Sequence, residues 1–111
     1  MDGDMKQHLI EIKDNEKLIC SCVLYFVPLR SRNLAVIEEI KTTEGYRNKG
    51  FATHIVGLAV TKAKSLGADT VELCYNSKDV LAEKLYNKCG FVADGNIRAK
   101  YVINKVEIGR W

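Results

Sequence analysis

The stretch Val36-Ile37-Glu38-Glu39-Ile40-Lys41-Thr42-Thr43, followed across Glu44-Gly45 by Tyr46-Arg47-Asn48-Lys49-Gly50-Phe51-Ala52, decides how this chain reads. Its first part has β character. Its second part is a basic, glycine-containing turn that opens an amphipathic helix near Gly50. The first N–H groups of a helix have no intrahelical acceptor, and the helix dipole is positive at that end. A strand that breaks into such a turn is therefore a receptor for phosphate oxygens. Arg47 and Lys49 add full charges, and Gly50, with no Cβ, lets a ligand approach the backbone closely. A cofactor bearing a diphosphate is the natural occupant.

Outward from that turn, the periodicities alternate between sheet and helix. His8–Lys13 alternates, and Asp14-Asn15-Glu16 reads as a hairpin turn. Leu18–Val27 is almost continuously apolar, as in a strand buried on both faces. A loop over 28–33 leads to the strand Leu34–Thr43, antiparallel to its predecessor if the loop closes a hairpin. Phe51–Leu66 is helical, with Ile55, Leu58, Ala59, Ala63 and Leu66 on the apolar period and Gly67 as the stop. Gly57 costs that helix about 1 kcal/mol relative to Ala and suggests close packing on the sheet. Thr70–Tyr75 is a short strand, which makes strand, helix and strand a right-handed crossover. Ser77 or Asp79 caps a second helix that runs to about Lys88 and ends at Gly90. A turn at Asp94-Gly95-Asn96 leads to a last strand over Arg98–Val106. The element order is β-β-β-α-β-α-β, with one further short β segment.

Arg47-x-x-Gly50-x-Ala52, placed after the strand, resembles the signature of the GCN5-related N-acetyltransferase (GNAT) family, in which this turn cradles the diphosphate of acetyl-coenzyme A. Ala82-Glu83-Lys84-Leu85-Tyr86-Asn87-Lys88-Cys89-Gly90-Phe91 is similar to the helix end found in the second half of that pattern. The resemblance covers about residues 17–103. It implies an α/β (α+β) fold with a mixed, mostly antiparallel sheet, a central βαβ crossover and two main helices. The sheet would be splayed between the third and fourth strands to admit the pantetheine arm. Family members usually begin with a strand and two helices that shape the acceptor site, and this chain has only a few residues in that place.

The resemblance implies an acetyl-CoA-dependent N-acetyltransferase in which an amine attacks the thioester directly. Deprotonating the amine needs a base and the leaving thiolate needs a proton. Glu38 is the candidate base, with Glu39, on the opposite face by strand alternation, as its competitor. Tyr86 is the candidate proton donor to sulfur. The family pattern points to backbone groups of Ile40, Lys41 and Thr42 for pantetheine, and to Arg47, Asn48, Lys49, Gly50, Phe51, Ala52 and Thr53 for the diphosphate. Asn76 is a further cofactor contact or, equally, a helix-start residue. Bland readings stand beside these: either glutamate as a solvated strand residue, Tyr86 as a core aromatic. The acceptor is open between a protein lysine or N-terminus and a small amine. A module that binds coenzyme A without turnover is the alternative.

Composition bounds the rest. A chain of 111 residues with 47% hydrophobic content implies a single domain over 1–111 with a small core. No apolar run approaches the roughly 20 residues needed to span a bilayer, and no signal-peptide pattern opens the chain. The expectation is a cytoplasmic protein without membrane association. The net charge of +3 is spread along the chain, without the basic stripe of a nucleic-acid binder. Four cysteines in that setting read as reduced thiols, and the spacing of Cys20 and Cys22 is not that of a metal knuckle. Exposed strand edges are compatible with a homodimer.

Overall fold

The computed structural model describes residues 5–74, 80–93 and 98–102. Strand β1 (Lys6–Asp14) turns through Asn15, at φ 57°, into β2 (Lys17–Pro28), and β3 (Asn33–Thr42) returns antiparallel to β2. Helix α1 (Phe51–Ser65) crosses to β4 (Thr70–Cys74), which lies parallel to β3. Helix α2 (Val80–Lys88) then leads to the short β5 (Val92–Ala93) and to β6 (Arg98–Val102). The strands form one six-stranded sheet in the order β1-β2-β3-β4-β6-β5, in which only β3 and β4 run parallel. The mixed sheet, central crossover and two helices are those expected. The proposed caps Ser77 and Asp79, and the stretch from 103 to 106, lie outside the described residues.

The parallel pair is pinned at one end. The backbone N–H of Asn33 donates to the Asp69 carboxylate at 2.8 Å, and the Asp69 N–H donates to the Asn33 carbonyl at 2.8 Å. The Asn33 amide also donates to the Gly67 carbonyl at 3.2 Å. These contacts set the register from Leu34 opposite Thr70 to Ile37 opposite Leu73.

One face of the sheet packs on α1. Cys20, Cys22 and Leu24 of β2, Ala35 and Ile37 of β3, and Val71 and Leu73 of β4 meet Ile55, Val56, Ala59, Val60 and Ala63 of the helix. The cysteines serve there as small apolar side chains. Ile19 and Val23 are buried as well, so β2 is covered on both sides, as its unbroken apolarity implied.

Two expectations about α1 are corrected. Leu58 is 39% exposed, and the buried stripe runs through Val56 and Val60 instead, while Leu66 packs against the core as expected. An apolar period in sequence does not settle which edge of the stripe meets the sheet. Gly57 is exposed, and a Cβ there would have nothing within 4 Å. It packs against nothing, so its cost is not recovered through a close approach.

Two stability predictions follow from this core. Gly57→Ala will stabilise the protein by about 0.5–1 kcal/mol, read as a higher urea midpoint with an unchanged m-value. Burial, with Cys20 alongside, pushes the Cys22 thiol up from 9.0 to about 11. Below pH 9 the thiol is neutral in both states and its contribution is intact. Between the two values the unfolded chain ionises while the native one does not, so stability falls across that window. Urea titrations at pH 8 and pH 10.5 will register a smaller loss in Cys22→Ala than in the wild type; an equal loss would refute the assignment.

Candidate active site

The site begins with an irregularity in β3. The β2–β3 register passes from Val23 opposite Glu38 to Ser21 opposite Lys41. Cys22 therefore faces two residues, Glu39 and Ile40, and β3 carries one more residue than its partner. Glu39 absorbs the mismatch at φ 55°, the left-handed conformation found in β-bulges. The last β3–β4 pair is Ile37 with Leu73, while β3 continues to Thr42. Among the described residues β3 has no β4 partner from Glu38 onward.

The bulge also resets the alternation of side chains. Strict alternation would group Glu38 with Val36 and Ile40, and Glu39 with Ile37 and Lys41. Instead Ile37 is buried in the core, Ile40 packs against it, and Thr42 lies beside Cys20, Oγ1 to Sγ 3.5 Å, near the start of α1. Glu38 and Lys41 share the register of Val23 and Ser21, on the other side.

A cleft of about 800 Å³ lies at that end of β3. Ile40, Lys41 and Thr42 form its strand wall, Arg47, Asn48, Gly50, Phe51 and Ala52 its turn and helix wall, and Tyr86 with Leu85 closes the α2 side. Two residues from distant halves of the chain, Gly50 and Tyr86, thus line one cavity. Tyr86 is half-buried against the core, and its carbonyl accepts from the N–H of Phe91 at 2.9 Å. Phe91 itself is buried, anchoring the end of α2.

The turn is built to present backbone. Asn48 and Gly50 take positive φ, 62° and 87°. Gly50 is the N-cap of α1 with no side-chain cap, and no acidic residue occupies the first turn. A helix start without a capping oxygen keeps its orphan N–H groups directed at the cleft. The Arg47 Nε donates to the Thr42 carbonyl at 3.2 Å, which holds the guanidinium against the cleft wall. The first strand residues of β2 tie in as well: Thr43 Oγ1 donates to the Leu18 carbonyl at 2.8 Å and the Thr43 N–H to the Ile19 carbonyl at 2.8 Å. Tyr46 meets Phe51 edge to face, ring centroids 6.0 Å apart, and Lys17 Nζ stands 5.5 Å over the Tyr46 ring.

Not every candidate lines the cleft. Lys49 and Thr53 lie outside its wall, and Lys49 is exposed. Glu38 and Glu39 are both exposed and both outside it, Glu39 being 3.9 Å from the Lys41 ammonium. Asn76 is outside the described residues. Conversely, Leu18, Ser21, Thr43, Glu44 and Tyr46 border the cleft without having been singled out. Leu18 and Ser21 belong to the neighbouring strand, and only the paired register brings them there. Tyr46 is the first residue of the turn, and its aromatic character close to Phe51 was the available signal.

Comparison with known proteins agrees with this architecture. A search of curated proteins finds YvbK of Bacillus subtilis (strain 168), an uncharacterized N-acetyltransferase, 40% identical over 67 residues. That match takes in 60% of this chain but 43% of YvbK, so the chain spans less than half of that relative. Among solved structures, a provisionally assigned acetyltransferase from Agrobacterium tumefaciens str. C58 superposes with a TM-score of 0.75 at 27% identity, over 81% of this chain and 65% of the other. A Bacillus subtilis acetyltransferase solved in complex with CoA gives a TM-score of 0.74 at 23% identity, over 87% of this chain and 77% of the other. The model of the acetyltransferase (GNAT) family matches residues 2–91. With the turn at Gly50 and Tyr86 facing across one cleft, the chain belongs to the GNAT acetyltransferase family.

Proposed function

We propose that this protein transfers an acetyl group from acetyl-CoA to an amine. The observation that carries the reading is the single cleft joining the uncapped start of α1 at Gly50 to Tyr86 on α2. The CoA complex of the B. subtilis structure supports the same cofactor here. The diphosphate sits on the N–H groups at Gly50–Ala52, with Arg47 beside them. The pantetheine arm runs along the unpaired β3 edge at Ile40–Thr42, whose amide groups can take it as an added strand. The thioester then lies near Tyr86.

The neutral amine attacks the thioester carbonyl, a C–N bond forms and the C–S bond breaks. The proton lost by the amine passes to solvent or to Glu38 through a water, since the exposed Glu38 stands outside the cleft wall. The phenol of Tyr86 gives its proton to the departing thiolate and regains one from solvent. The acceptor is a protein lysine, an N-terminal amine or a small amine, and we favour a protein. The free thiols of Cys20, Cys22 and Cys89 support a reducing compartment such as the cytoplasm. Among the described residues no helix is long and apolar enough to cross a membrane. The position of Glu38 favours one other reading, a module that binds CoA without turning it over, and we further propose that the protein self-associates.

Two measurements test these assignments. Gly50→Val places a β-branched residue at φ 87° and narrows the anion site; CoA affinity by calorimetry is expected to fall at least about tenfold, a change of about 1.4 kcal/mol. In an acetylation screen against pooled amines and peptides, Tyr86→Phe should lower kcat by about 10- to 100-fold with KM for acetyl-CoA little changed. Tight CoA binding with no thioester consumed on any acceptor would replace the enzyme by the binding module.

A further inference from the structure

The outer edge of β1 is a second surface with a specific design. Among the described residues β1 pairs only with β2, and no described strand covers the other side of this nine-residue strand. Such an edge is a template for another strand. Among the described residues, three of the five exposed large hydrophobic side chains, Met5 at 62%, Leu9 at 63% and Leu58 at 39%, lie on or beside it. Leu9 and Leu58 border one shallow cleft between β1 and α1, together with Lys62. Exposed apolar side chains gathered on a sheet edge mark a contact surface.

The sequence of β1, Lys6-Gln7-His8-Leu9-Ile10-Glu11-Ile12-Lys13-Asp14, states which strand fits. Placed antiparallel to itself about a two-fold axis at Ile10, Lys6 falls opposite Asp14 of the second copy, and Asp14 opposite its Lys6. His8, Ile10 and Ile12 are the half-buried residues of β1. In this register His8 meets Ile12 and Ile10 meets Ile10, so that stripe continues across the junction on one face. Moving the register by one residue would set half-buried positions against exposed ones. Moving it by two residues one way sets Glu11 against Glu11; the other way sets Lys6 against Ile12 and leaves Asp14 unmatched. Only the register centred on Ile10 satisfies both charge and face.

We propose that two copies of this chain join through antiparallel β1–β1 pairing centred on Ile10, continuing the sheet from one subunit into the other. This gives the self-association proposed above a surface and a register. The two-fold axis carries the Leu58 side of each α1 toward the other copy. Leu18 and Ser21, which border the active-site cleft, pair with Lys13 and Glu11 of β1, so the junction lies one strand away from the site.

The test is sedimentation equilibrium of the full chain with the variants Asp14→Lys, Lys6→Asp and the double exchange Lys6→Asp/Asp14→Lys, each checked for folding by circular dichroism. A dimer dissociating in the micromolar range is expected. Each single variant sets like charges opposite one another twice and should weaken it about tenfold or more; the double exchange should recover affinity to within about threefold. A wild type that stays monomeric at all concentrations overturns both the pairing and self-association. A dimer whose affinity ignores the single variants, or is not recovered by the exchange, overturns the β1 register while leaving self-association and the acetyltransferase reading standing.

Discussion

The extra residue that β3 carries at Glu39 is the constraint on which the rest of the site depends. Parallel strands in a twisted sheet tend to stay paired for their full length, and a cleft between them needs a local reason. Here the left-handed Glu39 bends β3 after Ile37. At the opposite end, Asp69 and Asn33 clasp the same two strands through reciprocal hydrogen bonds, one to the Asp69 carboxylate and one between backbones. Among the described residues the pair is held together at that end and unpaired at the other. The unpaired end presents a strand edge whose polar groups are obliged to find partners, and it does so beside the start of a helix with the same need.

That arrangement explains why the binding wall is mostly backbone. The β3 edge and the first turn of α1 offer amide groups, while the side chains Arg47 and Tyr46 hold the turn in place through Thr42 and Phe51. The chemical end is different in kind. In the proposed reaction it takes one particular side chain from α2, Tyr86, and the buried Phe91 anchors the end of that helix.

The parts legible from sequence were those with a local signature. The crossover, the turn at Arg47–Ala52 and the Leu85-Tyr86 segment each follow from a contiguous pattern. Thr43 and Leu18 show the limit: they meet because β2 and β3 are in register, and register is a property of pairs of strands. The alternation rule failed at Glu38 and Glu39 for a related reason. A bulge is one residue long and has no period, so the strand pattern on either side reads as unbroken. The faces of Leu58 and Gly57 on α1 depended on how the helix rotates onto the sheet, which the helical period leaves free by a residue or so.

The missing cap at Gly50 has a thermodynamic consequence. A helix usually completes its own N-terminus with a serine, threonine or aspartate, a contribution of about 1 kcal/mol. In α1 neither a cap nor an acidic first turn does so, and under the proposed function that role passes to the bound diphosphate. Folding and ligand occupancy are then linked equilibria, with the native state gaining stability as the logarithm of free ligand concentration above its dissociation constant. The resistance of this protein to unfolding becomes a reading of how much of that small molecule its surroundings hold.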